Sequence, residues 1–204
     1  MSAQVLSVSL PSEIIYVSGT VNGTAYTWTL IKGAWTATVE RAADDTYAVA
    51  LTAVTAAGVS TNYTLTLYYG LLSLITDRTR ADVANQTDKG FYNASDLNRV
   101  GAAVEYIAGR FAALGYACPV TVKKDWLTSD APTASQLETY RQNIVTLRGR
   151  IAVMASTPEA PASMVGLNYV KANDIEQILL DLDALIDKLI KSWYFTGEVY
   201  AGEV

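Results

Sequence analysis

The stretch Thr46-Tyr-Ala-Val-Ala-Leu-Thr-Ala53 alternates strictly, with Tyr47, Val49, Leu51 and Ala53 on one face and alanine or threonine on the other. A period of two marks a β-strand with one buried face. Working outward, the same alternation recurs at Tyr26, Trp28 and Leu30, at Trp35, Ala37 and Val39, and at Tyr63, Leu65, Leu67 and Tyr69. Turn signals separate the runs at Leu10-Pro-Ser, Asn22-Gly23, Lys32-Gly33, Asp44-Asp45 and Ala57-Gly58. They divide the segment into about six short strands at intervals of roughly ten residues. Residues 1–70 hold six charged side chains (Glu13, Lys32, Glu40, Arg41, Asp44, Asp45) against twelve threonines, a strand-forming composition. Regular short strands with tight turns predict an antiparallel β-sandwich.

From about residue 76 the period becomes that of helices. Asn93 is placed to cap a helix whose third position is Asp96, with Leu97, Val100, Val104, Ile107, Phe111 and Leu114 at steps of three and four until Gly115 stops it. A second helix starts at Thr133 with Gln136 closing a capping box, and its stripe runs Leu137, Tyr140, Ile144, Leu147, Ile151, Met154. The third begins at Asn168 or Asn173 and carries Ile175, Ile178, Leu182, Leu185 and Leu189 to about Trp193. A short helix after Thr79, with Asp82 returning the cap, fits the connection. Three amphipathic helices bury their stripes most economically in a three-helix bundle. The fold expected is therefore α+β by segregated domains: a sandwich over 1–70, a linker over 71–92, a three-helix bundle over 93–195 and an extended tail over 196–204.

Composition narrows the chemistry. The chain has 204 residues, half of them apolar, a net charge of −5 and no histidine. Without a basic surface, binding to nucleic-acid phosphates is not expected. Without histidine, the commonest general base and the commonest metal ligand are missing. The single cysteine, Cys118, has no histidine partner and cannot form an internal disulfide, so it reads as packing. No apolar run approaches a membrane-spanning length, and the N-terminus lacks a basic segment followed by an apolar one, so neither membrane insertion nor a Sec-type address is expected. No cofactor and no nucleotide loop are expected: Gly19, Gly23 and Gly33 read as turn glycines between strands.

Two resemblances add to this. The stretch Ala43-Asp-Asp-Thr-Tyr47-Ala-Val49 resembles the tyrosine corner of bacterial Ig-like domains, with Trp28 in the place of their core tryptophan. The segment Lys89-Gly-Phe-Tyr-Asn-Ala-Ser-Asp-Leu-Asn-Arg-Val100 resembles a module of phage and prophage tail-region proteins that reads KG-Y-NA-(S/T)-DLNRV. Asp125-Trp126, Ala131-Pro-Thr133, Pro161-Ala-Ser-Met164, Lys171-Ala-Asn-Asp-Ile-Glu176 and Gly197-Glu-Val-Tyr-Ala-Gly-Glu203 extend that similarity over most of the C-terminal two thirds. The resemblance implies a non-enzymatic virion component of the tail, baseplate or fibre, assembled in the bacterial cytoplasm. Its partners would be other tail proteins and, through the Ig-like domain, a weakly and multivalently bound host-surface glycan. Homo-oligomerisation stays open. The alternatives are a carbohydrate-binding or adhesin module of a bacterial surface protein and, behind it, a carboxylate-dependent glycoside hydrolase.

Candidate residues follow. Trp35, Tyr68 and Trp126 are the aromatics considered for stacking on sugar rings, although alternation sets Trp35 on the face of Ala37 and Val39. Asp125-Trp126 reads first as a small cap over the bundle end with Trp126 mostly buried, and only second as an exposed aromatic anchor. Trp193, Tyr194, Phe195 and Tyr200 crowd the C-terminus and suit either a strand packed back on the chain or an assembly contact. Asp174, Glu176, Asp181, Asp183 and Asp187 crowd the third helix; a catalytic or metal-binding pair would need two of them together, and a solvated face fits their spacing better. In the tail-like motif, Asn98 and Arg99 read as outward-facing or as bridges to a neighbouring helix. No catalytic, cofactor-binding or metal residue is assigned.

Overall fold

The computed structural model describes residues 3–42, 46–69 and 74–197, with side chains described as far as residue 192. The protein is mixed α+β and divides into two compact units, each assembled from separated segments. The first contains Met1–Ser73, Phe91–Ala103 and Val122–Thr133; the second contains Leu74–Gly90, Val104–Thr121 and Ala134–Val204. The boundaries expected along the sequence are contiguous, whereas these units are not.

Among the described residues the first unit has seven strands in two antiparallel sheets. One sheet has the order β1 (Ala3–Val8), β5 (Ala34–Glu40), β4 (Thr29–Ile31); the other runs β3 (Thr24–Thr27), β2 (Ile14–Val21), β6 (Thr46–Thr55), β7 (Ser60–Tyr68). Leu6, Val8, Trp35, Ala37 and Val39 from one sheet share a single buried cluster with Val17, Tyr47, Val49, Leu51, Leu65 and Leu67 from the other. The run read as one strand through Tyr26, Trp28 and Leu30 is two. Residues 24–27 pair with β2 and residues 29–31 with β5, so the chain changes sheets at the buried Trp28 and leaves Leu30 53% exposed. Asn22-Gly23 and Lys32-Gly33 both take positive φ, the two-residue turn whose twist matches antiparallel strands. A register shift between Ile14 and Tyr16 aims Ile14 inward and leaves Ile15 and Tyr16 exposed. The Tyr47 phenol accepts the Ala42 N–H at 3.0 Å. The strand order departs from the immunoglobulin pattern, in which the second strand joins the first, fourth and fifth; here β2 lies between β3 and β6. The turn expected at Asp44-Asp45 lies outside the described residues.

Helix α2 (Ala94–Ala113) contributes residues 94–103 to this unit. Its cap is as anticipated: Asn93 accepts the Ser95 N–H at 2.8 Å, and Asp96 accepts the Asn93 N–H at 2.8 Å. The ribbon 122–133 carries no helix or strand, yet belongs to the same unit and adds Leu127 to the core. Its backbone is held by side chains. Asp125 accepts the Ser9 N–H at 2.5 Å, and Asn98 both accepts the Trp126 N–H at 2.6 Å and donates to the Trp126 carbonyl at 2.9 Å.

In the second unit, α1 (Arg80–Ala84) has the full Thr79–Asp82 capping box. Helix α2 is closed past its end by Gly115 (φ 83°), where Tyr116 and Gly115 donate back to the Phe111 and Ala112 carbonyls, a Schellman closure. Helix α3 (Ala134–Arg148) is shorter than its apolar stripe suggested, and Ile151 and Met154 lie beyond it. Gly149 favours termination there, and the Arg148 guanidinium donates to the Pro158 carbonyl at 2.6 Å and Glu159 at 2.6 Å. Helix α4 (Tyr169–Gly197) is capped by Asn168, which accepts the Lys171 N–H at 3.0 Å. Its backbone stays helical to Gly197, past the expected end at Trp193 and into the tail expected to be extended from residue 196. Asn173, the other cap candidate, lies inside the helix and pairs with both the N–H and the carbonyl of Arg78 at 3.0 and 2.9 Å. Asn143 of α3 does the same for Thr121 at 3.0 and 2.7 Å.

Candidate functional site

The three aromatics considered for sugar stacking are buried: Trp35 is 7% exposed, Tyr68 9% and Trp126 4%. Trp35 faces inward with Ala37 and Val39, as the alternation of β5 requires. Tyr68 bonds through its phenol to the Ser95 hydroxyl at 2.7 Å and lies 6.0 Å from the Arg99 guanidinium. Trp126 is locked by Asn98, and the Lys123 ammonium stands 4.9 Å from its ring centre. At these exposures none of the three presents a ring face on which a sugar could stack, contrary to the expectation from the sequence. Asp125-Trp126 packs within the sheet unit and not, as the sequence suggested, on the end of the helices. Of the aromatics named for assembly, Tyr200 lies outside the described residues, and Trp193, Tyr194 and Phe195 are described only by their helical backbone.

Four of the five named carboxylates of α4 are engaged. Arg110 of α2 forks between two of them, donating to Asp183 and, at 2.5 Å, to Asp187. The hydrogen bond from Arg110 holds the Asp187 carboxyl below the usual carboxylate range. Asp181 accepts from Gln177 at 2.7 Å, while burial pushes Asp174 upward. Glu176 corrects the reading of a solvated face: it is 0% exposed and pairs with buried Arg78 at 2.7 Å while also accepting the Ile75 N–H at 2.6 Å. Asn98 and Arg99 are likewise buried, at 0% and 4% exposure, the latter paired with Asp96. Burial raises the Cys118 thiol above its ordinary value, with Arg150 acting in the opposite direction. Among the described residues no group of three or more acidic or cysteine side chains is placed to hold a metal ion, and no helix is long and apolar enough to cross a membrane.

The sequence reading missed a surface feature of the sheet unit. On β5, Thr36 and Thr38 alternate with Trp35, Ala37 and Val39 and therefore point away from the core. Thr29 stands opposite Thr36 across the ladder. These threonines, with Tyr26, Thr27 and Ile31, line an open hollow of about 480 Å³ that has no charged residue in its wall. The Thr36 hydroxyl donates to the Thr29 carbonyl at 3.1 Å. Alternation alone could have found the outward threonines. The part β3 plays could not be read, because it depends on the sheet change at Trp28.

No protein-family model matches the chain, and no curated protein or solved structure matches it either.

Proposed function

We infer that this chain is a non-enzymatic structural and adhesion component of a phage or prophage tail, acting at the baseplate or in a fibre. In this reading the helical unit docks onto other tail proteins and the sheet unit presents its outer surface. The observation that carries the non-enzymatic part is the Arg110 fork: Asp183 and Asp187, the α4 carboxylates spaced by one helical turn, are bound to a permanent cation. A paired-carboxylate hydrolase needs one group protonated and the other free to attack or to activate water, and a guanidinium on both opposes the first and occupies the second. The similarity of Lys89–Val100 to the tail-region module supports the place of action. Tyr47 and its bond to Ala42 support an Ig-like sandwich modified at β2, and the buried stripes of α2, α3 and α4 support a three-helix bundle.

The test is direct. Particles induced from the encoding bacterium are purified and digested, and peptides of this chain should appear with the other tail proteins. Their absence from particles that contain those proteins overturns the assignment. Release of reducing sugar from bacterial cell-wall polysaccharide by the purified chain, abolished by Asp183→Asn, would overturn its non-enzymatic part.

A further inference from the structure

We propose that the threonine-lined hollow on the outer face of the β1-β5-β4 sheet is a binding site for a neutral glycan. Its volume, about 480 Å³, falls within the roughly 300–1,000 Å³ of small-ligand sites. The wall chemistry selects the ligand. Thr27, Thr29 and Thr38 are exposed, and each hydroxyl can both donate and accept a hydrogen bond. Thr36 has committed its proton to the Thr29 carbonyl, which leaves its oxygen as an acceptor. An anion would find no cation in the wall, and a purely apolar ligand would strip water from four hydroxyls without replacing it. A neutral sugar meets both conditions. Its hydroxyl edge pairs with the threonines, and its C–H face lies on the apolar surfaces of Tyr26 and of Ile31, which is 52% exposed.

The spacing is set by rigid elements. Thr36 and Thr38 stand about 7 Å apart along one strand, and Thr29 faces Thr36 at about 5 Å across the ladder. These three side chains span the width of a single pyranose ring. Tyr26 is half-buried and packed against the core, so little side-chain freedom is lost when a ligand arrives. Glycan binding stands on the hollow alone; its role in host adhesion rests on the function proposed above.

The experiment is an amide-resonance titration of the full chain with chitohexaose, maltohexaose and a galactan oligosaccharide, with alginate as the anionic control. At least one neutral probe should shift resonances of residues 25–38 saturably, and alginate should not. Thr38→Asp places an unpaired carboxylate in the wall and should weaken that binding at least about tenfold. Trp126→Phe, at a buried ring away from the hollow, should leave the affinity unchanged. The proposal fails if no neutral probe shifts residues 25–38, if the shifts map elsewhere, or if Thr38→Asp binds as the wild type does. It also fails if these resonances move with protein concentration alone, which would assign the face to a second copy of the chain. Tail incorporation is measured separately on particles, so either result can fail without the other.

Discussion

Replacing Asn98 by leucine tests how the ribbon 122–133 is held. Asn98 is 0% exposed; its amide oxygen accepts the Trp126 N–H, and its amide nitrogen donates to the Trp126 and Thr66 carbonyls at 2.9 and 3.0 Å. Leucine is close in volume and a better helix former, so the packing of α2 is kept while two buried backbone groups of Trp126 and the half-buried Thr66 carbonyl lose a partner. At about 1–3 kcal/mol for each such group, and nearer the lower figure for the two carbonyls, the loss is about 3–6 kcal/mol. That is a large fraction of the roughly 5–15 kcal/mol that holds a domain together. Urea unfolding followed by tryptophan fluorescence reads it, because Trp28, Trp35 and Trp126 belong to the sheet unit. Far-ultraviolet circular dichroism follows the helices in the same samples.

Asn98→Asp adds a pH signature. The introduced carboxylate keeps an oxygen for the Trp126 N–H but turns a negative oxygen toward two carbonyls, so its folded-state pKa is raised. A group with a raised folded pKa contributes its stability below the unfolded value, about 3.9, and loses it as pH rises through the folded one. The deficit against wild type should therefore widen from about pH 4 to pH 7. A leucine variant within about 1 kcal/mol of wild type would refute the reasoning.

Three further outcomes are expected. Glu176→Leu strands the buried Arg78 guanidinium and should cost about 3–5 kcal/mol in helical stability, whereas Glu176→Leu with Arg78→Met should recover most of the loss; a double variant no better than the single one counts against the pair. Gly109→Ala should raise the melting temperature, since nothing lies within 4 Å of the new methyl and the helix gains about 1 kcal/mol, while Gly101→Ala should lower it, because its methyl would meet the Lys123 carbonyl at 2.7 Å; shifts of the same sign would refute the close approach of ribbon to helix. Burial pushes the Asp125 carboxyl up, but the Lys123 hydrogen bond and the Ser9 amide outweigh it and hold it below the usual range. Its contribution is thus complete above the unfolded value of about 3.9 and disappears as pH falls through the folded one. Asp125→Asn should cost about 1–2 kcal/mol at neutral pH, and the difference should close in acid unfolding titrations below about pH 4.

What could be read in advance was local. The caps at Thr79, Asn93 and Asn168 and the closure at Gly115 each depend on residues within a few positions, and they form as their sequence signals require. The inward set Trp35, Ala37 and Val39 follows from a period of two. The buried polar groups could not be read in this way. Asn98 meets Trp126 across 28 positions and Glu176 meets Arg78 across 98, so on their own helices Asn98 and Glu176 each look like a break in an apolar stripe. Once buried, such a group needs a partner that only tertiary structure supplies. Ile15 and Tyr16 were hidden for a related reason: their exposure follows from a one-residue register shift in the ladder with β6. The neutral hollow lay half in view, with its threonines legible on β5 and its β3 wall concealed by the change of sheet at Trp28.

The helix asparagines share one device. Asn98, Asn143 and Asn173 each engage both the N–H and the carbonyl of a single residue in an extended segment, at Trp126, Thr121 and Arg78. An amide side chain used in this way reproduces the donor and acceptor that a neighbouring strand would offer, so ribbons without a ladder are still satisfied. Charge is allocated just as locally: Arg78, Arg99, Arg110 and Lys123 are each paired within their own unit. The wall of the hollow on β5 is left without charge, and Glu40, on the same outward face, stands at the end of the strand beyond it. Recognition there has to be short-ranged, built from hydroxyl pairing and ring contact without a long-range field to steer the ligand. Its affinity should therefore vary little with salt, in contrast to a surface that releases counterions from a polyanion. A weak neutral contact of this kind gains strength chiefly by repetition, and a particle carrying many copies supplies it.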